Sequence, residues 1–183
     1  MTEAARHLEV IRLGHPVLRV VAEPVPEDWF SSGRLYELGR DLVRTMIAEE
    51  GAGLAAPQVA EELRLFAYWV PAADDEPEVP PTVLVNPEIR PVGDLREEGW
   101  EGCLSIPGLR GMVPRYRRIK VKARTIDGSP ISLTADGFHA RVIQHEYDHL
   151  DGVVFLDRMV STKSLAFEPE WEQYVLATEP EDG

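Results

Sequence analysis

Cysteine and basic residues are both scarce in this chain, and each shortage limits what the protein can be. The 183 residues contain a single cysteine, Cys103, so no disulfide can form within the chain. The 32 acidic residues outnumber the 19 Lys and Arg, which gives a formal net charge of −13. Because nucleic-acid phosphates are bound through clustered Lys and Arg, this balance argues against broad binding to RNA and against DNA as a partner.

Long apolar runs are also missing. No segment approaches the roughly 20 apolar residues that a membrane-spanning helix needs, so no membrane partner is expected. The first ten residues, MTEAARHLEV, lack the apolar stretch of a secretory signal. The hydrophobic share of 44% is typical of an ordinary globular domain. We therefore expect a cytoplasmic protein that starts near Met1.

The first half of the chain predicts a helix and then strands. Ser31 and Ser32 are candidate N-caps for the amphipathic helix that follows them. Residues 64–70 and 82–89 are rich in branched and aromatic side chains and predict two strands. Pro87 cannot donate a ladder hydrogen bond, so we expect it to stop the second strand or to place it at a sheet edge.

The second half predicts a hairpin and a late helix. Asp127-Gly128 is a strong turn signal between two strand-like runs, and Asp136 is placed to cap the next helix. This order predicts an α+β fold, in which antiparallel strands pack around a central helix that carries the letters HEYDH. We expect a single compact domain over residues 1–183, with residues 170–183 as a loose acidic tail.

The most informative segment is His145-Glu146-Tyr147-Asp148-His149. On a helix, two histidines four residues apart lie on the same face, so both imidazoles can bind one cation. Glu146 adjoins the first histidine, where its carboxylate can take a proton from water on that cation. A charged surface helix with two solvated histidines is the alternative. It is disfavoured because apolar residues surround the motif, namely Phe138, Val142, Ile143 and Leu150.

Two imidazoles do not complete a catalytic metal site, so a third ligand must come from elsewhere in the chain. A metzincin-type protease would have a third histidine where this chain has Phe155. Cys103 is a soft ligand, and the preceding Gly102 permits a close approach of the backbone. A thermolysin-like protease would instead use a downstream glutamate, and the candidates here are Glu168, Glu170 and Glu172.

Three segments together resemble the peptide deformylase family. They are Gly51–Gln58 (GAGLAAPQ), Glu101–Ser105 (EGCLS) and Gln144–His149 (QHEYDH), and they follow the family's order. The opening segment Gly14–Arg19 (GHPVLR) is similar to the family's start, so the resemblance covers about residues 8 to 160. It implies that the protein hydrolyses the N-formyl group from the initiator formyl-methionine of newly made polypeptides and releases formate.

The resemblance also implies a cofactor and partners. Cys103, His145 and His149 are expected to bind one divalent metal ion, with Fe2+ as the usual ion in vivo and Zn2+ or Ni2+ able to replace it. A thiolate and two imidazoles suit all three ions. The partners implied are N-formylmethionyl nascent peptides and a transient contact with the ribosome. The basic C-terminal helix with which some members touch the ribosome is not expected here, because this chain ends in acidic residues.

The resemblance assigns three catalytic roles. Glu146 is expected to be the general acid and base, while the Gln58 side-chain amide and the Leu104 backbone N–H stabilise the oxyanion. The loop Gly51-Ala52-Gly53 offers backbone groups along which an extended peptide can lie as an added strand. Ala52 is smaller than the branched residue usual in the family, so we expect a wider pocket mouth.

Three residues of the histidine helix precede His145 by seven, four and three positions and therefore flank its metal-binding face. We expect two of them, Phe138 and Val142, to line the pocket for the methionine side chain, with simple core packing as an equal alternative. Arg141 is expected to bind substrate from the rim of the pocket.

Two further contacts are expected around the cysteine loop. Gly102 and Arg110 are candidate substrate-binding residues, with Arg110 reaching the backbone or a carboxylate of the peptide. A solvated loop arginine is the alternative for Arg110. The resemblance also implies that Glu101 pairs with Arg115 and so holds the loop in place.

Overall fold

Two antiparallel sheets pack around one long helix in the computed structural model, which describes residues 5–72 and 77–178. The strands are β1 Gly53–Ala55, β2 Leu65–Val70, β3 Val79–Pro91, β4 Arg96–Cys103, β5 Ile106–Tyr116, β6 Arg118–Arg124, β7 Pro130–Asp136 and β8 Ala166–Phe167. The helices are α1 Arg34–Ala48, α2 Gly137–Leu150, α3 Phe155–Arg158 and α4 Glu168–Tyr174. Short 3-10 helices cover Pro16–Arg19, Glu27–Phe30, Ala56–Val59, Thr162–Ser164 and Leu176–Thr178.

The sheets have the spatial orders β1-β2-β3-β6-β7 and β4-β5-β8, and all their neighbouring strands pair antiparallel. Helix α2 contacts β1, β2, β6 and β7 of the first sheet and β5 of the second. It therefore lies between the sheets, and its buried face contributes Ala140, Ile143 and Leu150 to the main apolar core. This arrangement confirms the predicted α+β fold with a central histidine helix.

The start of α1 differs from the sequence prediction. The N-cap is Gly33, whose φ of +77° lies in the left-handed region that glycine adopts easily. The hydroxyls of Ser31 and Ser32 donate instead to the carbonyl oxygens of Asp28 and Trp29, each at 3.2 Å. The expected serine cap was therefore wrong, because the preceding 3-10 helix uses both hydroxyls.

Strand β3 also corrects a prediction, since Pro87 neither stops it nor places it at an edge. The strand lies between β2 and β6, and its register shifts between Val85 and Glu88. Asn86 has a φ of +50° in this bulge, and its side-chain amide bonds to the backbone of Val25 at 2.8 and 3.1 Å. A bulge leaves one residue out of the ladder, which lets a central strand include a proline.

The hairpin and the cap of α2 are confirmed. Strands β6 and β7 pair from Arg118–Asp136 to Arg124–Pro130 on either side of the turn. The Asp136 carboxylate accepts a hydrogen bond from the Gly137 N–H at 3.1 Å at the start of α2. Local turn and cap chemistry therefore fixes where the histidine helix begins.

Both ends of the chain lie partly outside the described residues. Residues 168–174 form α4, and residues 1–4 and 179–183 lie outside the described residues, so the start near Met1 and the looseness of 170–183 stay predictions. In the described part of the chain, no helix combines the length and the apolar character that crossing a bilayer requires.

Candidate active site

Three potential metal ligands converge between the sheets. Cys103 ends β4, while His145 and His149 lie one turn apart on α2, and one donor atom from each residue lies within 4.8 Å of the others. The Cys103 Sγ is 3.3 Å from the His149 Nε2. Burial lowers the pKa of His149 well below its usual value, which keeps the imidazole in the neutral form that binds metals. The donor set fits a borderline or soft divalent ion.

Hydrogen bonds orient the first histidine. The His145 Nδ1 lies 2.9 Å from the Glu101 carboxylate, which leaves Nε2 for the ligand cluster. Glu101 also accepts two hydrogen bonds from Arg115, at 2.9 and 3.0 Å, so the expected Glu101–Arg115 pair is confirmed. Burial alone would raise the pKa of Glu101, but the bonds to His145 and Arg115 hold it well below its usual range. An ionised carboxylate therefore supports this imidazole.

Arg115 extends the same network to the second acidic residue of the helix motif. Its guanidinium bonds to Asp148, which also accepts hydrogen bonds from Arg158 at 2.7 and 3.1 Å. Asp148 thus links α2 to β5 and α3. The Arg115 side chain is only 6% exposed, and the carboxylates of Glu101 and Asp148 compensate its buried charge.

Arg141 lines the groove, but its guanidinium is turned into the protein rather than held at an exposed rim. Its side chain is 12% exposed and reaches across the β4–β5 hairpin. It donates to the Glu101 carboxylate at 2.9 Å and to three carbonyl oxygens at 2.7–3.3 Å, those of Glu97, Gly99 and Val113. Through these hydrogen bonds, Arg141 joins α2 to the β4–β5 hairpin beside the groove. Its role in binding substrate stays a prediction.

Glu146 lies beside the ligand cluster in a buried position. Burial raises its pKa to about 7, and its Oε2 has no hydrogen-bond partner among the described residues. A Cβ atom on Gly53 would stand only 2.5 Å from the Glu146 carboxyl carbon, so the loop can approach this closely only with glycine. A carboxyl group that titrates near neutral pH without a protein partner is suited to proton transfer.

The glycine loop and the cysteine loop meet at Gln58. Its Oε1 accepts from the Ala55 N–H at 2.8 Å, which fixes the direction of the amide. Its Nε2 then lies 3.2 Å from the Ser105 Oγ and 3.5 Å from the Cys103 Sγ. Leu104 occupies the tight turn after β4 and reaches the backbone of the glycine loop. Both candidate oxyanion residues therefore border the ligand cluster.

A groove of about 900 Å³ opens from the cluster to the surface. It brings together all the candidate catalytic and substrate-binding residues, and of the ligands only His149 lies buried behind its wall. Val142 is buried, whereas Phe138 is half exposed, as expected for the edge of a side-chain pocket. Residues outside the motifs complete the wall: Trp100 and Ile106 directly flank the cysteine motif, and His7, Glu9, Leu109 and Glu168 lie further along the chain.

The glutamates considered as alternative ligands do not join the cluster of Cys103, His145 and His149. Glu168 pairs with Arg110, and Glu170 and Glu172 are exposed on α4. In the described part of the chain, Cys103 and the two α2 histidines are the one group of His, Cys, Asp and Glu side chains whose donor atoms converge. These donors, the buried carboxyl and a groove of peptide size define the class of metal-dependent peptide-modifying hydrolases.

Comparisons with known proteins narrow this class. The family model described as polypeptide deformylase matches residues 7–165. Peptide deformylase 1 of Prochlorococcus marinus (strain MIT 9313) is 46% identical over 90% of this chain and 86% of its own length. Peptide deformylase 1 of Xanthomonas campestris pv. campestris is 47% identical over 87% of this chain and 94% of its own.

A solved structure agrees with the sequence relatives. The Met-Ala-Ser bound class I type b peptide deformylase from Acinetobacter baumannii superposes with a TM-score of 0.80 and 38% identity, over 85% of this chain and all of its own. The chain belongs to the peptide deformylase family. It is a hydrolase that acts on the N-formyl group of newly made peptides.

Proposed function

We propose that this chain deformylates nascent polypeptides through the residues that line its groove. The observation that carries the proposal is a converging thiol and two imidazoles beside the buried carboxyl of Glu146, at the floor of a peptide-sized groove. A relative that binds Met-Ala-Ser supports a short extended peptide as the occupant of this groove. The substrate is then the formyl-methionyl end of a new polypeptide, and the products are formate and a free amine.

Cys103, His145 and His149 hold one divalent ion in this proposal, which is Fe2+ in vivo, with Zn2+ or Ni2+ as substitutes. When bound, the ion polarises the formyl carbonyl and makes water a better nucleophile near neutral pH. The support for this assignment is the 4.8 Å cluster and the Glu101 carboxylate, which holds the first imidazole in a ligand orientation.

Glu146 transfers the proton that the reaction needs. It takes a proton from the water that attacks the formyl carbon, and it gives that proton to the nitrogen as the C–N bond breaks. A pKa of about 7 suits both steps, because the group can lose and regain a proton at little cost. Gly53 leaves the space in which the carboxyl group stands.

The Gln58 Nε2 and the Leu104 N–H stabilise the oxyanion that forms on the formyl group. The Gln58 amide cannot turn freely, since its oxygen is already bonded to the Ala55 N–H. Donors fixed in this way need no reorganisation as charge develops, and each is typically worth about 3 kcal/mol of barrier.

The peptide lies along the groove as an added strand against Gly51-Ala52-Gly53. Its methionine side chain enters between the buried Val142 and the half-exposed Phe138, which both line the groove. Gly102 and the outer arginine Arg110 border the residues that follow the methionine. The small Ala52 widens the mouth of this path.

We place this reaction in the cytoplasm, where the enzyme meets nascent chains during a transient contact with the ribosome. The composition supports this setting, since a chain with a single thiol cannot depend on an internal disulfide. In the same proposal the whole chain, 1–183, acts as one domain.

Formate release from formyl-Met-Ala-Ser tests the proposal, using protein purified without oxygen and loaded with iron or nickel. Glu146→Ala should abolish release while metal content stays near one ion per chain. Cys103→Ala should lose both the metal and the activity. Absence of release from folded, metal-loaded protein would contradict the proposed function. A Cys103→Ala protein that kept metal and activity would show that the third ligand is wrong.

A further inference from the structure

The segment Ala166–Tyr174, here termed the C-terminal segment, lies beyond the region that the family model matches, which ends at residue 165. Its strand β8 pairs with β5 in the register Leu109–Phe167 and Arg110–Ala166. This pairing brings the start of α4 to the outer end of the groove, where Glu168 becomes part of the lining.

Glu168 is joined directly to the outer arginine of the groove. Its Oε1 accepts a hydrogen bond from the Arg110 Nε at 2.9 Å and a second one from Nη2. The two side chains are 37% and 35% exposed, so water and ligands can reach both. The Trp171 ring centroid lies 5.3 Å from the same guanidinium, on the side of α4. The C-terminal segment therefore fixes the position of Arg110 and adds a carboxylate that balances its charge.

The position of this ion pair relates it to the substrate. A Cβ atom on Gly102 would lie 2.7 Å from the Arg110 Nη1, so the guanidinium rests on the backbone one residue before Cys103. Extended peptide residues advance about 3.3 Å each. If the formyl group is at the ligand cluster, the Arg110–Glu168 pair faces the second or third residue of a peptide in the groove.

We propose that Glu168 is a specificity-determining residue, which sets the charge preference for the side chain at the second or third substrate position. This inference rests on the proposed function of the groove. The Glu168 carboxylate occupies the guanidinium that would otherwise attract an acidic side chain, and it also adds a negative charge that attracts a basic one. Formyl-methionyl peptides with Lys at these positions are therefore favoured over those with Glu.

The test compares kcat/KM for C-terminally amidated formyl-Met peptides that carry Glu or Lys at position two or three, at low ionic strength. Glu168→Gln should raise the Glu-to-Lys ratio, which is kcat/KM for the Glu peptide divided by kcat/KM for the Lys peptide, by about fivefold. This is the scale expected when the Glu peptide gains one exposed ion pair and the Lys peptide loses one. The change should appear in KM rather than in kcat. Glu170→Gln is the matched control, because it removes the same charge from an exposed site on α4. It should leave the ratio unchanged.

Arg110→Gln separates charge selection from structural support. It leaves the Glu168 carboxylate without its guanidinium, so the Glu-to-Lys ratio should fall below that of the unmodified protein. Opposite shifts for the two variants support the inference. It is overturned if both variants lower activity alike on all peptides, or if Glu168→Gln and Glu170→Gln give the same ratio. Deformylation of formyl-Met-Ala-Ser by the unmodified protein is a separate result, so failure of the proposed function is distinguishable.

Discussion

Arg141 carries the strongest stability prediction, because its buried guanidinium connects α2 to both strands of the β4–β5 hairpin. Arg141→Met would remove four hydrogen bonds while keeping most of the apolar side-chain volume. The Glu101 carboxylate would keep its bonds to Arg115 and His145, but three backbone carbonyl oxygens would lose a donor. The loss therefore comes from unsatisfied buried acceptors rather than from a cavity.

The size of the effect follows from this inventory. A hydrogen bond to a charged group contributes about 1.5–3 kcal/mol, and groups next to the groove can regain part of this from water. We expect the free energy of unfolding to fall by about 3 kcal/mol, which for a chain of this length lowers Tm by about 6–12 °C. Metal retention should also weaken roughly tenfold, since Glu101 supports a ligand histidine.

Denaturant unfolding followed by circular dichroism measures the first quantity, and metal content after dialysis measures the second. Arg118→Met is the matched control, because Arg118 is 58% exposed and pairs with the carboxylate of Asp136 on the surface. Arg118→Met should lower the free energy of unfolding by less than about 1 kcal/mol. If Arg141→Met were no more destabilising than Arg118→Met, the network around Arg141 would not stabilise the fold as inferred.

Three further predictions concern single contacts. Gly53→Ala should lower kcat at least about 100-fold with little change in metal content, because the added methyl would overlap the Glu146 carboxyl group; formate release and metal analysis check this. Gln58→Leu should lower kcat about 100-fold or more by removing an oxyanion donor, measured with metal content held constant. Burial would raise the pKa of Asp41, but hydrogen bonds from Arg6 and an ion pair with Arg40 outweigh it and lower the pKa. Asp41→Asn should therefore cost about 2 kcal/mol of unfolding free energy at pH 7, and the difference from the unmodified protein should shrink as the pH falls below about 4 in urea titrations.

The parts of the site that depend on local spacing could be predicted from the sequence. The i, i+4 histidines and the apolar residues around them define one face of α2, and Asp136 marks where that helix begins. The third proposed ligand could not be derived in this way, because Cys103 lies at the end of strand β4 rather than on α2, and its assignment needed the resemblance of three motifs. The steric role of Gly53 was also out of reach, since it depends on how closely its loop approaches α2.

Two differences from the sequence predictions have long-range causes. Pro87 was expected to end or expose a strand, but a bulge absorbs it, and Asn86 secures that bulge by bonding to a segment about 60 residues earlier. Arg141 was assigned to the rim from its place on the helix face. The carbonyl groups that draw it inward belong to a hairpin whose position no helical pattern encodes.

The two histidines proposed as metal ligands are held by different physical means, although they lie one turn apart. His145 depends on the Glu101 carboxylate, which in turn depends on Arg115 from β5 and Arg141 from α2. His149 is 1% exposed, and its Nδ1 has no hydrogen-bond partner among the described residues, so packing and the contact of its Nε2 with the Cys103 Sγ at 3.3 Å fix its ring. A change that separates the β4–β5 hairpin from α2 should therefore release His145 first, while His149 remains in place until the helix itself loosens.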